Sequence, residues 1–447
     1  PETHRALQTA LSIRAGRVAL LTVEYDIDGG EAEEADVYRL GVTTPELLDR
    51  LLAQREPALG HGVRQQIVSL SEGNLRIALA LASAARRTGR LNGLSDADLF
   101  QRLFWQRQQP DPGLEHAARV LALVYSFKAE ESDAPEAEQE FTRLARLAGC
   151  STAELRRHLG TLLNRGLAQR RGPWRAILPH ALANHLAARG LSSVSGDDLW
   201  RELRQHERLS LSFARRLSSL HDSCDAQDLV ERWFREAPGL EVFSEGSMRG
   251  REFVRLLAPV RPDLALARLE QLTATEGQGL LGEQHVFYRD GAVRLASQLA
   301  YPAVDFARAA EVLVRLATHE SSGSNGGRDR APQPLERLFR PAMSGTEADA
   351  PQRLALLASL LDSSDARRQR LALVALQTML AVNWSGSVPE TFGARVRGDG
   401  WRPSSSGEWE AWYGGLMQLV AERLCAEHVL ASELASLVAE AAVPLAW

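Results

Sequence analysis

Ser151-Thr152-Ala153-Glu154-Leu155 begins the stretch on which the fold turns, and Leu167-Ala168-Gln169-Arg170-Arg171-Gly172-Pro173-Trp174-Arg175-Ala176-Ile177-Leu178 ends it. Ser151 with Glu154 three residues later is a capping box, in which each side chain can satisfy a backbone N–H that the first helical turn leaves open. Leu155, Leu159, Leu162 and Leu163 then fall on one face, and Gly166 stops the helix. The runs either side of Gly172-Pro173 read as a two-stranded wing. Upstream, residues 114–127 read as a helix. An acidic loop follows from Glu130 to Glu140, then a helix over 141–148 that ends at Gly149. Pro179 leads into a further helix through Arg189.

Helix, turn, capped helix and β-wing is the winged-helix order, assigned to residues 111–190. Outward from it, residues 191–447 read as helices of two to five turns between Gly/Pro/Ser breaks, with Leu/Ala faces alternating with arginine faces. Examples are Phe253–Leu257, Asp263–Leu272, Ala292–Leu299, Phe306–Ala317, Gln352–Leu361, Arg367–Leu380 and Glu408–Glu427. No strict period repeats, so the reading is an irregular, TPR/HEAT-like α-solenoid. Residues 321–334 read as its best internal flexible loop.

On the other side, residues 41–110 read as a helical lid. Thr44 caps a helix over 44–55, with Pro45 in its first turn and Leu47, Leu48, Leu51 and Leu52 on one face. A second helix spans 63–70, and Gly73-Asn74 turns and caps a third that runs to Gly89. Before these, Val18-Ala19-Leu20-Leu21-Thr22-Val23 is a continuous apolar run suited to a buried strand of a parallel sheet. One strand cannot bury itself. That, with Pro1 in place of Met, reads as a fragment of a longer polypeptide, residues 1–40 being the last strand and flanks of an α/β core. The fold class expected is therefore mainly α.

The bulk composition removes several function classes. Of 447 residues, 45% are hydrophobic and 24% charged, an ordinary globular profile. No apolar run is long enough to span a bilayer and no signal pattern opens the chain, so no membrane partner and a cytoplasmic location are expected. A net charge of -5 gives no long-range attraction to nucleic acid. Cys150, Cys224 and Cys425 form no CxxC pair and are read as small core residues; the histidines show no metal-ligand spacing. Of 52 Lys+Arg, only Lys128 is lysine, and no glycine loop precedes it. A phosphate-binding GxxxxGK[ST] loop is therefore absent from this chain, and no catalytic residues are assigned.

The succession of buried strand, lid helices, Gly73-Asn74-Leu75-Arg76 helix start and winged helix resembles the C-terminal part of STAND-type AAA+ nucleotide-binding modules, over roughly residues 10–190. The resemblance implies ATP or ADP with Mg in the full-length protein, and none fully bound by this chain alone. It implies sensor roles for Thr22, Asn74 and Arg76. A helix N-terminus favours phosphate, and an arginine in its first turn adds a bidentate donor. Thr22 also reads as a strand-end hydroxyl bonded to backbone, and Gly73-Asn74 as a plain cap beside an exposed arginine. Val23-Glu24 departs from members that carry an arginine after the strand threonine.

Phe392-Gly393-Ala394-Arg395 through Asp399-Gly400-Trp401-Arg402-Pro403, then Trp409, Trp412 and Tyr413, resembles a segment near the C-terminus of large bacterial defence-type members. It reads either as a ligand-recognition surface or as a loop pinned to the helical array by its tryptophans, and the second is preferred because aromatics usually pack. The family implies a signalling ATPase that senses a protein ligand or phage-derived trigger through its repeats and self-oligomerises on activation. Two other functions stand beside it. Arg156, Arg157, Arg170, Arg171 and Arg175 could form the phosphate-binding face of a DNA-binding regulator. Packing of the wing against acidic loops at 26–36 and 130–140, with Arg170 and Arg171 partly buried, is the favoured arrangement instead. A helical scaffold for protein–protein interaction is the third.

Overall fold

The computed structural model describes residues 43–71, 110–130, 139–178, 180–203, 206–236, 248–275, 279–281, 289–319, 332–382 and 400–445, with shorter pieces at 75, 78–79, 82, 104–105, 135, 392–393, 395 and 397. The chain is mainly helical. It divides into two compact units, residues 1–107 and 108–447. The strand at 18–23 with Thr22, the 26–36 loop, Asn74, Arg76 and residues 321–331 lie outside the described residues.

In the first unit, α1 (Pro45–Arg55) starts as the sequence directs. Thr44 Oγ1 accepts the N–H of Leu47 at 3.3 Å, and Pro45 occupies a position whose N–H has no partner to lose. Leu48 and Leu52 are fully buried, while Leu47 is half exposed, so the apolar stripe is narrower than the sequence suggested. α2 (His61–Ser71) packs on α1 and is tied to it where Arg64 Nε donates to Asp49 Oδ1 at 2.9 Å.

The second unit opens with a compact module. α3 (Pro112–Ala122) is followed by β1 (Phe127–Lys128), α4 (Glu140–Leu147), α5 (Thr152–Asn164), β2 (Ala168–Arg171), β3 (Trp174–Ile177) and α6 (His180–Leu191). The sheet order is β1-β3-β2, antiparallel throughout; Arg171 faces Trp174 across the Gly172-Pro173 turn. Ser151 Oγ accepts the N–H of Glu154 at 3.2 Å, but the Glu154 carboxylate turns to Arg157 and His158. The helix expected over 114–127 stops at Ala122, and its tail becomes β1, whose two residues pair with Trp174 and Arg175. Glu140, expected in an acidic loop, instead opens α4 with no exposed surface.

Beyond the module come α7 (Gly196–Leu203), α8 (Glu207–Leu217), α9 (Cys224–Glu236), α10 (Met248–Leu257), α11 (Pro262–Leu272), α12 (Arg289–Leu299), α13 (Phe306–Thr318), α14 (Pro332–Leu338), α15 (Ala350–Leu361), α16 (Ala366–Leu380), α17 (Ser406–Cys425) and α18 (Ala431–Leu445). Each packs mainly on helices one to three places away in sequence: α8 on α10, α10 on α12, α12 on α13 and α14, α15 on α16 and α17. Packing between sequence neighbours, rather than around one shared centre, is what helical arrays show. The helices begin on expected residues. Asp349 and Gln352 form a reciprocal capping box on α15, and Ser405 caps α17. Residues 332–334, expected in a loop, instead form the first turn of α14. The cysteines also differ from expectation: Cys224 and Cys425 are exposed and Cys150 half-buried, so none is a core residue.

Candidate functional site at the module–array junction

Tyr125-Ser126-Phe127-Lys128 joins α3 to β1, and α8 of the array locks onto it. Tyr125 donates its N–H to the carbonyl of Ser212 at 3.0 Å, Ser126 donates its N–H to Ser212 Oγ at 2.9 Å, and Ser212 Oγ donates back to the carbonyl of Ser126 at 2.6 Å. Arg208, on the same helix, donates to the carbonyl of Ser126 at 2.8 Å and makes two charge-assisted bonds to the Glu140 carboxylate. Glu140 Oε2 also accepts the N–H of Lys128 at 2.7 Å. The Arg208 guanidinium and the Lys128 ammonium lie over the Trp174 ring, 4.6 and 5.2 Å from its centroid. One buried carboxylate thus gathers α4, β1 and α8, with β3 covering it. A buried charge is tolerated only with such partners.

A second set of bonds fixes the same boundary from the module's rear. Arg143 donates to the carbonyl of Glu202 at 3.1 Å, and Arg146 pairs with the Glu202 carboxylate at 3.0 Å. Arg143 and Arg146 therefore find their carboxylate outside the 141–190 window, where Glu154 is the only carboxylate. Arg189 and Arg119 both reach Glu115, within the module.

The five arginines assigned to a DNA-binding face do not form one open surface. Arg175 is 4% exposed: NH2 pairs with Glu130 at 2.9 Å, and NH1 donates to the carbonyls of Gly172 and Trp174. Burial is the main reason its guanidinium is pushed below the usual arginine range. Arg156, Arg157, Arg170 and Arg171 are exposed. Arg156 lies over Phe141, Arg157 pairs with Glu154, and Arg170 reaches Glu130 at 3.8 Å. The expectation that Arg170 and Arg171 are partly buried is corrected: both sit at the end of β2, an edge strand, whereas Arg175, directly opposite Arg170, lies on the central strand β3 and is covered. The acidic partner expected from residues 130–140 is present as Glu130.

The aromatic stretch packs along the array. Phe392 is buried, and Arg395 donates to the carbonyl of Pro259, just after α10, at 2.6 Å. Arg397 donates to the carbonyl of Gln298, in α12, at 2.7 Å, and stacks on Phe392 and Tyr301. Trp401 donates its N–H to the carbonyl of Thr346 at 2.7 Å. Trp401 stacks on Trp412, whose Nε1 donates to the carbonyl of Met379 at 3.1 Å. These residues form a strap across successive helix ends. Gly393 (φ +59) and Gly400 (φ +91) let it lie close: a Cβ would stand 2.2 Å from the Ser218 carbonyl oxygen at the first and 2.4 Å from that of Thr346 at the second. The packed-loop reading of this stretch holds. Among the described residues no group of three or more His, Cys, Asp or Glu could hold a metal, and no helix is long and apolar enough to cross a membrane.

Sequence reasoning missed the junction. Tyr125, Ser126, Glu140, Arg208 and Arg216 carried no local signal, because each is defined by a partner far along the chain. Compared with protein-family models, curated proteins and solved structures, the chain matches none.

Proposed function

We propose that the chain is the relay and sensor portion of a STAND-type signalling ATPase: a lid, a winged helix and a helical-repeat sensor that bias a nucleotide switch and drive self-oligomerisation. The observation that carries the reading is the Glu140–Arg208–Ser126 junction. The α3–β1–α4–α5–β2–β3 order suits a winged helix. The junction makes its first strand and second helix one rigid piece with the first helices of the array. A protein or phage-derived trigger bound on the array would therefore move the winged helix as a body, a hinge-type transition between two states. Asn74, Arg76 and Thr22 are the proposed nucleotide sensors, with ATP or ADP and Mg held mainly by a phosphate-binding loop that this chain does not encode. A cytoplasmic location and a role in bacterial defence belong to the same proposal.

The test uses the complete natural reading frame. Nucleotide affinity and oligomeric state with ATP, ADP and a non-hydrolysable analogue are measured for the wild type and for Arg76→Ala. ATP-dependent assembly weakened by Arg76→Ala is the expected result. Absence of nucleotide binding in the complete protein would overturn the proposal.

A second reading rests on the exposed quartet Arg156, Arg157, Arg170 and Arg171: a DNA-binding regulator in which α5 enters a groove and the hairpin follows the backbone. Burial of Arg175 and pairing of Arg157 and Arg170 with carboxylates reduce its charge, so the relay is favoured.

A further inference from the structure

Arg216 is unlike the other deeply buried arginines of the array. Its residue is 2% exposed, at the end of α8 against α6 and Tyr125. NH1 donates to Asn184 Oδ1 at 2.6 Å, and the guanidinium carbon lies 5.4 Å from the Tyr125 ring centroid. Nε and NH2 are buried and have no hydrogen-bond partner. Arg215, over the same ring, has Glu252 to answer its charge, whereas no carboxylate of the described residues answers Arg216. Burial lowers its pKa to about 10, which still leaves it charged at neutral pH.

Elsewhere this fold satisfies the same group in full. Arg353 has no exposed surface, and its three nitrogens donate to the carbonyls of Ala348, Arg340 and Trp401 and to Ser344 Oγ. Arg289 donates Nε to Leu280, NH1 to His319 and NH2 to Leu281, all backbone carbonyls. An isolated buried cation is unfavourable by several kcal/mol unless something compensates it. Two adjacent N–H donors on one guanidinium, facing no acceptor, present the fork that takes an anion.

We infer that Arg216, with Asn184 and Tyr125 around it, is the receptor for a small inorganic anion held inside the module–array junction. A halide is the chemistry that fits, because both donor nitrogens are buried away from solvent, a setting that a monatomic ion enters more readily than an oxyanion or a peptide carboxylate. Its two ligands would be the Nε and NH2 donors of Arg216. Bound there, the ion ties α8 to α6 at the opposite end of α8 from the Glu140 latch. The inference concerns charge balance and stands whatever signal the array receives.

The test has two arms. Crystals of the wild-type chain grown or soaked in sodium bromide should show an anomalous peak within hydrogen-bond reach of Arg216 Nε and NH2. In solution, thermal unfolding is followed in sodium chloride and in sodium gluconate at equal ionic strength. The wild type should gain a saturable rise in Tm of a few degrees with chloride. Arg216→Met, which keeps the stem and removes the charge, should lose that difference while remaining folded; Arg216→Lys should reduce it. Bromide density only at other positions, a water at the guanidinium, or an equal chloride response in wild type and Arg216→Met would each overturn the inference. The bromide arm uses unaltered protein, so misfolding of a variant does not remove the test.

Discussion

Glu140 and Arg208 meet across 68 residues of sequence as a bidentate pair, the carboxylate wholly buried and the guanidinium half-buried. Glu140 is the first residue of α4 and Arg208 lies in the first turn of α8, so the pair joins two helix starts. The helix N-terminus at α4 favours the carboxylate, and the Lys128 N–H completes its coordination. Removing one partner leaves the other charge buried or unanswered, whereas replacing both with apolar groups does not.

Glu140→Leu is therefore expected to destabilise the chain by about 3–5 kcal/mol. The double variant Glu140→Leu/Arg208→Met should be less destabilised than the sum of the single changes. Urea denaturation of the four proteins of the cycle checks this. A purely additive result would show that the pair is not coupled.

Gly400→Ala should loosen the strap. At φ +91 an L side chain is strained, and the added Cβ meets the backbone of Thr346. A cost of about 1–3 kcal/mol is expected. Increased hydrogen exchange at the Trp401 amide, which donates to Thr346, should accompany it. Wild-type protection at that amide would show the strap to be independent of this glycine.

The chain alone should hydrolyse no ATP, since its single lysine, Lys128, is spent over the Trp174 ring and follows no glycine loop. A coupled phosphate-release assay with Mg tests this. Turnover that disappears on a single substitution within these residues would refute it.

Arg175 and the exposed quartet should separate under mutation. Arg175→Ala removes donors from the Gly172 and Trp174 carbonyls and from Glu130, so it should cost about 1–3 kcal/mol of stability. Arg170→Ala with Arg171→Ala should leave stability within about 0.5 kcal/mol. If the module binds DNA, that pair should flatten the slope of log affinity against log salt by about 0.9 for each phosphate no longer neutralised. A salt-independent, weak association unchanged by both variants is the outcome the relay reading expects.

Much of the fold was legible in short-range chemistry. Thr44-Pro45, Ser151 and the Gly172-Pro173 turn set their elements by interactions within four residues, and each element begins or turns where those residues sit. The array helices followed from leucine spacing in the same way. β1 was not legible: two residues carry no period, and Phe127 and Lys128 become a strand only because Trp174 and Arg175 arrive beside them. Glu140 lay at the end of a run of acidic residues that reads as solvent-facing until Arg208 is placed. Arg289 and Arg353 are buried because a guanidinium can be satisfied by carbonyls and rings that no sequence pattern marks. Of the candidate sites, Thr22, Asn74 and Arg76 lie outside the described residues, and the hairpin arginines divided between the edge strand β2, where Arg170 and Arg171 are exposed, and the central strand β3, where Arg175 is buried.

The strap has a consequence for how this array can change length. In most repeat proteins a unit can be gained or dropped because each touches only its neighbours. Here Gly393, Arg395, Arg397 and Trp401 address Ser218, Pro259, Gln298 and Thr346 in turn, one contiguous stretch reading the helix ends in order. A helix inserted or deleted between Ser218 and Thr346 would carry the later anchors away from the residues that now address them, because a short piece of chain has a limited reach. The number of helices in that span is thereby fixed by the contacts laid across it.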